Sequence, residues 1–191
     1  MNDNEVQKSQ LELNCEKWGA WQYNVRDHFK PLTVEQINDE LDKTKLPCAV
    51  LMQHIEGDFN FGNIVRTSNN FNIANIYYYG KKRWDRRSSC GTHHYSNLSY
   101  LSSLEEVAKL KEKYSFVAME NNIGKSVLIK DFKYPTMPLF VFGEENSGIF
   151  PEVLEMCEHF VEIPSRGSVR SLNVGSAASI VLYDFWTKFT L

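Results

Sequence analysis

No apolar stretch in the sequence approaches the roughly 18 consecutive residues that a membrane-spanning helix requires. The first residues, MNDNEVQKSQLELN, are too polar for the apolar region of a signal peptide, so we expect a cytoplasmic protein. Cysteine is sparse, with no C-x-x-C pair and no nearby histidine at a regular zinc spacing. We therefore expect free thiols, mostly buried, at Cys15, Cys48, Cys90 and Cys157.

The sequence also lacks an excess of positive charge, because 21 Lys and Arg residues are opposed by 24 Asp and Glu residues. The net charge of −3 argues against the global basic field that is common in nucleic-acid-binding proteins. Positive charge is concentrated in Lys81–Arg87, called here the basic segment. This segment is either a solvated loop or, as we prefer, an RNA-backbone contact. Its predicted RNA-binding residues are Lys81, Lys82, Arg83, Arg86 and Arg87.

Aromatic residues lie in and near the basic segment. Trp84 or Tyr95 would be available to stack on a nucleobase. His93 and His94 are adjacent but have no third ligand at a useful spacing, so we expect no metal site.

Hydrophobic patterning predicts an α/β domain. A length of 191 residues with 42% hydrophobic and 24% charged residues is typical of one globular core. Short apolar runs alternate with amphipathic ones, which favours a mostly parallel sheet flanked by helices. The predicted helices are Ser103–Tyr114 and Ser171–Phe189, with another beginning at Phe150-Pro151-Glu152. The predicted strands are Ala49–Met52, Ile76–Tyr79, Phe116–Met119, Leu139–Phe142 and Phe160–Ile163.

The first part of the chain has a different pattern. It is polar, with apolar residues at helical intervals, and Thr33 to Gln36 form a candidate capping box for a short helix before Pro47. We therefore predict a helical N-terminal extension, residues 1–46, followed by the α/β domain, residues 47–191. The expected packing anchors of the extension are Trp18, Trp21 and Tyr23.

Ligands of parallel sheets bind at the carboxyl ends of strands, and three loops follow predicted strands here. The first loop, residues 56–67, contains Asn60, Gly62 and Arg66. Locally it predicts a turn and a capped helix with Arg66 solvated. In the functional interpretation, Asn60 and Gly62 shape the loop, and Arg66 points toward the same ligand-binding edge of the sheet.

The second loop, residues 143–148, contains two glycines around acidic residues. It is either an ordinary turn or a ligand loop, in which Gly143 lets a flat ligand approach the backbone and Glu145 anchors the loop or its partners. It is not a phosphate cradle, because the Gly-Lys-Ser/Thr pattern is missing. The chain also lacks G-x-G-x-x-G after a strand, which argues against other nucleotide-binding α/β enzymes.

The third loop, residues 163–174, is rich in Pro, Gly, Ser and Asn. It is either a plain connection in which Ser171 caps the last helix, or a ligand loop whose free backbone groups hold an adenine edge or a ribose. Arg166 and Arg170 add two cations, which we assign to RNA binding.

These loops together resemble the motifs of the SpoU/TrmH branch of the SPOUT RNA methyltransferases, over about residues 47–189. The resemblance implies an α/β domain with a C-terminal trefoil knot, a homodimer, S-adenosylmethionine as methyl donor, and a ribose 2′-hydroxyl of tRNA or rRNA as acceptor. The matching positions are Asn60, Gly62 and Arg66-Thr67; Phe142-Gly143-x-Glu145-x-x-Gly148; and Ile163-Pro164-x-x-Gly167-x-x-x-Ser171-Leu172-Asn173-Val174.

The resemblance also implies roles for individual residues. Arg66 would act at the target ribose and phosphate, a role often described as that of a general base. Arginine is a poor proton acceptor, so Arg66 would alternatively bind the phosphate while the proton leaves through phosphate or water. The residues that would arrange Arg66 and the acceptor are Asn60, Glu145, Ser171 and Asn173. The predicted cofactor-binding residues are Gly143, Ile163 and Leu172, through their backbone, with Met119 and Glu120 at the preceding strand exit.

Two departures from the family pattern affect these expectations. Gly175 replaces a common Ser and would loosen the first turn of the last helix by about 0.5–1 kcal/mol relative to Ala. Residues 1–46 do not resemble the small ribosomal-protein-like RNA-binding domain of many relatives. The alternative function is a non-catalytic RNA-binding or assembly factor of the same fold. The presence of every predicted catalytic residue favours the enzyme.

Overall fold

A seven-stranded parallel sheet with helices on both faces organises residues 25–121 and 123–190, the part of the chain that the computed structural model describes. The helices are α1 (Val34–Asp42), α2 (Asp58–Asn70), α3 (Leu104–Lys109), α4 (Pro151–Leu154) and α5 (Val174–Thr190). The strands are β1 (Leu46–Gln53), β2 (Ile73–Tyr79), β3 (Leu98–Leu101), β4 (Ser115–Met119), β5 (Val127–Leu128), β6 (Pro138–Phe142) and β7 (His159–Glu162).

The strand order is β3-β2-β1-β6-β4-β7-β5, and every neighbouring pair runs parallel. This arrangement confirms the predicted parallel α/β sheet, and all five predicted strands are present. The patterning missed β3 and β5, which lie at the two edges of the sheet. β3 is mostly only partly buried and contains an exposed Ser99, while β5 has two residues, so neither forms an apolar run.

The core lies on both faces of the central strands β1 and β6. On β1, Cys48, Val50 and Met52 pack in a cluster with side chains of α2 and α5. Ala49 and Leu51 alternate with them and pack on the other face, in a cluster with side chains of α3 and α4. Strands that are buried on both faces form continuous apolar runs, which is why the sequence pattern found them.

Side-chain caps define the starts of α1 and α3. Thr33 Oγ1 accepts a hydrogen bond from the Gln36 amide (3.2 Å), and Gln36 Oε1 accepts one from the Thr33 amide (2.9 Å), which confirms the predicted capping box. Ser103 Oγ accepts from the Glu106 amide at the start of α3. α3 is shorter than predicted, because a 3₁₀ turn, Leu110–Glu112, follows it.

The start of α2 differs from the expectation. α2 begins at Asp58, so Asn60 and Gly62 lie in its first turns and not in a loop before it. The preceding Gly57 has no side chain to cap the helix, so no capping residue marks the start of α2 in the sequence. Gly62 permits a close helix contact, because a Cβ there would lie 2.2 Å from Ser88 Oγ.

The start of α5 also differs, because the helix begins at Val174 and not at Ser171. Asn173 occupies the capping position. Its Oδ1 accepts from the Ser176 amide (3.2 Å), and its carbonyl accepts from the Ala177 amide (2.9 Å). Ser171 is therefore exposed in the loop before the helix.

Of the three cysteines that the structure describes, Cys48 and Cys157 are buried, as predicted, whereas Cys90 is exposed, and all three are free thiols. No helix among the described residues is long and apolar enough to cross a bilayer. Four residues considered above lie outside the described part of the chain: Cys15, Trp18, Trp21 and Tyr23.

Candidate active site

A pocket of about 630 Å³ lies at the carboxyl ends of β4, β6 and β7. Its walls come from the segments that follow these strands and from the first turn of α5. Carboxyl ends of strands and helix N-termini meet at this edge of a parallel sheet, where ligands bind. The volume lies within the range of about 300–1,000 Å³ that is usual for small-molecule sites.

The pocket brings together residues of the second and third sequence motifs, whereas the first motif, on α2, does not line it. All five predicted cofactor-binding residues line it: Met119, Glu120, Gly143, Ile163 and Leu172. Three of the predicted catalytic residues, and one of the predicted RNA-binding residues, line it as well: Glu145, Ser171, Asn173 and Arg170.

Gly143 allows the backbone to fold tightly at the pocket floor. Glu144 and Gly148 exchange two backbone hydrogen bonds of 3.0 Å, which close the turn that begins at Gly143. A Cβ on Gly143 would lie 2.2 Å from the carbonyl carbon of Gly148 and 2.3 Å from the Ile149 nitrogen. No L side chain fits there without moving the turn, so the glycine keeps this part of the pocket as bare backbone.

Glu120 connects the segment after β4 to the turn after β6. Its carboxylate accepts hydrogen bonds from the amides of Asn121 (3.0 Å) and Ile149 (3.4 Å). Asn121 in turn donates from Nδ2 to the Arg170 carbonyl (3.3 Å) in the segment after β7. Sequence reasoning missed Asn121, because only its position after a strand end distinguishes it from other surface asparagines.

The Glu145 carboxylate holds the entry to α2. Oε2 accepts from the Glu56 amide (3.2 Å), and Oε1 accepts from the Gly57 amide (3.3 Å) and from Asn60 Nδ2 (2.8 Å). The carboxylate that was predicted to act as an anchor is thus bound at the N-terminus of α2, where the helix macrodipole and free amides favour an anion.

Asn60 continues this connection to α5. Its Oδ1 accepts from Asn173 Nδ2 (2.9 Å), and Asn173 caps α5 through Ser176. We call this run of hydrogen bonds the Glu145–Asn60–Asn173 chain. It joins one residue from each of the three motifs at the edge of the pocket.

The surroundings of Glu145 favour its charged form. Partial burial by itself raises the pKa of Glu145, but the hydrogen bonds from Asn60 and from the backbone outweigh it and hold the pKa below the ordinary value of 4.5. A carboxylate with a lowered folded pKa stabilises the fold above its unfolded pKa, and this stabilisation disappears as the pH falls through the folded pKa.

We therefore expect Glu145→Gln to be less stable than the wild type at pH 7, because an amide has one acceptor oxygen and would turn an NH₂ group toward donors. The difference should shrink as the pH is lowered below 4.5, since the wild-type carboxylate becomes protonated. Urea unfolding at a series of pH values measures this effect. Glu155→Gln, at an exposed carboxylate, is the matched control, and an unchanged difference at all pH values would contradict the assignment.

Arg66 lies on the exposed side of α2 and does not line the pocket. Within the described ranges it makes no hydrogen bond or ion pair, so its charge is available to a ligand. The next residue, Thr67, is hydrogen-bonded to Ser179 of α5 (3.1 Å between the hydroxyl oxygens), which fixes the rotation of the helix about its axis.

The cations of the basic segment differ in exposure and in pairing, which the sequence does not indicate. Lys81 has a side chain only 28% exposed, and its Nζ contacts Asp58 Oδ1 (2.7 Å) and the Glu56 carbonyl, so it stabilises the turn before α2. Arg87 pairs with Asp85 (2.6 Å) at the surface. Three cations of the segment are exposed without an ion pair in the described part of the chain: Lys82, Arg83 and Arg86.

The aromatic and histidine residues near the basic segment pack on the protein. Trp84 stacks on the buried Phe61 with ring centroids 4.4 Å apart, so one of its faces is already covered. His93 meets Trp84 edge-on, and burial, with the nearby His94 and Arg86, lowers the pKa of His93 to about 4. Among residues 25–121 and 123–190, no three potential metal ligands form a cluster.

Packing between α2 and α5 explains why residue 175 is glycine, which the sequence did not reveal. It is buried, and a Cβ there would lie 2.8 Å from Asn63 Nδ2 and 3.2 Å from Asn173 Oδ1. Asn63, one turn beyond Asn60 on α2, therefore occupies the space that a side chain at 175 would need. The helical spacing from Asn60 is the sequence signal that could have identified Asn63.

We expect Gly175→Ala to stabilise the protein by up to about 1 kcal/mol in an Asn63→Ala background, because Ala has the higher helix propensity. In the wild-type background the same substitution should give no gain, because the methyl group displaces the Asn63 amide. A double-mutant cycle by chemical denaturation measures the coupling. Equal effects in both backgrounds would show that Asn63 and residue 175 do not compete for space.

The fold and the pocket define the class of this protein, an α/β domain with a candidate small-molecule pocket at the carboxyl edge of a parallel sheet. The chain matches the SpoU rRNA Methylase family over residues 47–183. This match covers more than half of the chain, so the protein belongs to the SpoU rRNA methylase family, as the three motifs predicted.

The sequence identity to individual relatives is low. The chain is 25% identical, over 156 residues, to the tRNA (guanosine(18)-2′-O)-methyltransferase of Aquifex aeolicus, covering 79% of this chain and 74% of the relative. It is also 25% identical, over 150 residues, to the 23S rRNA (guanosine-2′-O-)-methyltransferase RlmB of Coxiella burnetii, covering 75% of this chain and 60% of that protein.

Solved structures show the same fold. The Aquifex aeolicus TrmH/SpoU tRNA modifying enzyme superimposes with a TM-score of 0.73 at 25% identity, covering 82% of each chain. The SpoU methyltransferase AviRb of Streptomyces viridochromogenes, solved in complex with AdoMet, gives a TM-score of 0.69 at 22% identity, covering 80% of this chain and 61% of AviRb.

Proposed function

We propose that this protein transfers the methyl group of S-adenosylmethionine to a ribose 2′-hydroxyl of tRNA or rRNA. The proposal depends on one observation above all: the pocket is lined by the five predicted cofactor residues and bordered by the Glu145–Asn60–Asn173 chain. Family membership supports it, as do relatives named for methylation of tRNA and of 23S rRNA.

The pocket suits S-adenosylmethionine because bare backbone forms part of its wall. At Gly143 any Cβ would collide with the Gly148 backbone, so only glycine permits the tight turn that forms this part of the wall. The cofactor, when bound, supplies an electrophilic methyl group on a sulfonium. Gly143, Ile163 and Leu172 would hold it through their backbone groups, and Met119 and Glu120 would close the wall at the end of β4.

The remaining task of the protein is to align a weakly nucleophilic hydroxyl with that methyl group. Arg66 binds the phosphate of the target nucleotide, because its guanidinium is unpaired and matches phosphate oxygens bidentately. The hydroxyl proton then leaves to phosphate or water. Asn60 and Asn173 hold α2 and α5 in register, and Ser171 offers a hydroxyl at the pocket wall.

RNA approaches from the side of α2 in this proposal. The 3₁₀ turn Arg86–Ser89, at the end of the basic segment, packs on α2 through Ser88 and Gly62, so Arg86 lies beside α2, and Arg83 precedes it in the same segment. Arg166 and Arg170 are exposed in the segment before α5 and extend the positive surface. Lys82 and Arg87 contribute at its edge, whereas Lys81 acts mainly through Asp58.

The proposal includes three further features. Residues 47–191 form the methyltransferase domain and residues 1–46 the extension, which the family match over 47–183 supports. The C-terminal trefoil knot is supported by the position of β7 between β4 and β5 and by the Asn121–Arg170 hydrogen bond. A cytoplasmic location accords with action on tRNA or rRNA.

A homodimer is also part of the proposal. Ile180, Tyr183 and Trp186 recur every three residues on α5 and are all exposed, which makes a stripe suited to a second copy of the chain. We expect the wild type to sediment as a dimer at micromolar concentration and Tyr183→Lys to sediment as a monomer. A monomeric wild type would contradict this part of the proposal.

Methyl transfer from labelled S-adenosylmethionine to unmodified tRNA and, separately, to unmodified rRNA tests the proposed reaction. Nuclease mapping identifies the labelled nucleotide and distinguishes ribose from base. Ribose-labelled product in one pool would establish the reaction and its substrate class. Cofactor binding without transfer to either pool would indicate a missing partner or an unusual RNA substrate. A protein that transfers no methyl group and binds no cofactor would favour the non-catalytic RNA-binding factor.

A further inference from the structure

Phe59 is the most exposed of the large hydrophobic residues in the described part of the chain, with 79% of its surface accessible. It is the second residue of α2 and lies between Asp58 and Asn60. Its ring makes no aromatic contact within residues 25–121 and 123–190. The ring is thus presented to solvent beside the candidate active site.

Helix geometry places Phe59 on the same face of α2 as Arg66. Seven residues are nearly two turns of 3.6 residues, so the two side chains project in almost the same direction, about 10.5 Å apart along the axis. Asn63, one turn after Phe59, instead packs its amide against Gly175 of α5. Phe61, Ile64 and Val65 are buried on the opposite side. The outer face therefore presents an aromatic ring and a cation in a row.

The neighbours of Phe59 connect this row to the proposed reaction. Asp58, before it, is paired with Lys81 at the start of the basic segment. Asn60, after it, belongs to the Glu145–Asn60–Asn173 chain at the pocket edge. An RNA strand that passes from the basic segment toward the pocket would therefore run over the Phe59 ring.

We propose that Phe59 is the platform on which a nucleobase of the RNA substrate stacks, next to the nucleotide whose phosphate Arg66 binds. This inference depends on the proposed function. Proteins recognise unpaired bases through aromatic rings combined with nearby cations, and stacking accepts any base. A second copy of the chain is the less favoured partner, because Arg66, which shares this face, is charged, and Asp58 and Asn60 on either side of Phe59 are polar.

The test uses Phe59→Ala, Phe59→Trp and a control, Val127→Ala, which shortens an exposed apolar side chain on the edge strand β5. RNA affinity is measured by mobility shift, and cofactor affinity by calorimetry. Phe59→Ala should bind unmodified substrate RNA about tenfold more weakly, since one stacked base is lost. Cofactor affinity and sedimentation should stay at wild-type values. Phe59→Trp should restore RNA affinity.

A second readout is independent of methyl transfer. The fluorescence of the indole in Phe59→Trp should be quenched when RNA is added. The same titration of the wild type controls for quenching of the natural tryptophans. Unchanged RNA affinity in Phe59→Ala, with a wild type that binds and methylates RNA, would overturn this inference alone. A change in oligomeric state in Phe59→Ala would overturn it in favour of a protein interface. A wild type that neither binds nor methylates RNA would overturn the proposed function itself.

Discussion

Replacing Arg66 with Ala is expected to reduce methyl transfer by about 100- to 1,000-fold, the range found when one charge-stabilising group is removed from an active site. S-adenosylmethionine affinity should stay unchanged, because Arg66 lies outside the pocket wall. The folded state should be unaffected, since the side chain is exposed and makes no ion pair in the part of the chain described here. Single-turnover transfer, calorimetric cofactor binding and thermal unfolding measure these three properties.

Arg66→Lys separates the two possible roles of Arg66, phosphate anchor and general base. If Arg66 anchors a phosphate, lysine keeps the cation and retains part of the activity, although it loses the bidentate geometry. If Arg66 accepts the proton, the altered position and chemistry should leave Arg66→Lys as inactive as Arg66→Ala. Lys109→Ala, at an exposed cation of α3, is the control. Near-wild-type transfer by Arg66→Ala would remove Arg66 from the mechanism.

Replacing Gly143 with Ala is expected to weaken S-adenosylmethionine binding by about 10- to 100-fold. The added methyl group would lie 2.2 Å from the Gly148 backbone, so the turn must move into the space that the cofactor needs. Overpacking costs about 1–3 kcal/mol when the turn keeps its wild-type shape. If the free variant relaxes the turn and the cofactor requires the wild-type shape, that cost is subtracted from the binding free energy and corresponds to this range of affinity. Isothermal titration calorimetry measures the binding directly.

A matched glycine tests whether the effect comes from the close contact. Gly167 lies in the third loop and has no atom within 4 Å of the position of an added Cβ. Gly167→Ala should therefore bind the cofactor like the wild type. Equal losses in both variants would indicate a general effect of loop stiffness, and no loss in Gly143→Ala would place the cofactor away from this turn.

The sheet could be predicted from the sequence because its central strands are buried on both faces. β1 and β6 form uninterrupted apolar runs, whereas the edge strands β3 and β5 are short or partly exposed and leave no such pattern. The family resemblance identified the segments that line the pocket, and the structure brings them together. The start of α2 was missed because Gly57 provides no capping side chain.

Long-range pairing limited the prediction of individual side chains. Lys81 belongs to a basic run in the sequence, but its partner Asp58 is 23 residues away and reaches it only after β1 and β2 have paired. Asn63 and Gly175 compete for one space across two helices that are more than 100 residues apart. Local propensity contains no information on such contacts, because tertiary packing decides them.

The Glu145–Asn60–Asn173 chain also has a consequence for the order in which the molecule assembles. Its hydrogen bonds span 85 and 113 residues of sequence, so the loops that close the pocket are among the most non-local contacts of the fold. Contacts of this kind form late, since the entropy of closing the intervening chain must first be overcome. During synthesis, a chain whose α5 has not yet left the ribosome can pair its central strands. Asn173 is then not yet available to complete the hydrogen bonds at the pocket edge. The pocket is therefore complete only when α5 is in place, because Asn173, Val174 and Ala177 form part of its wall.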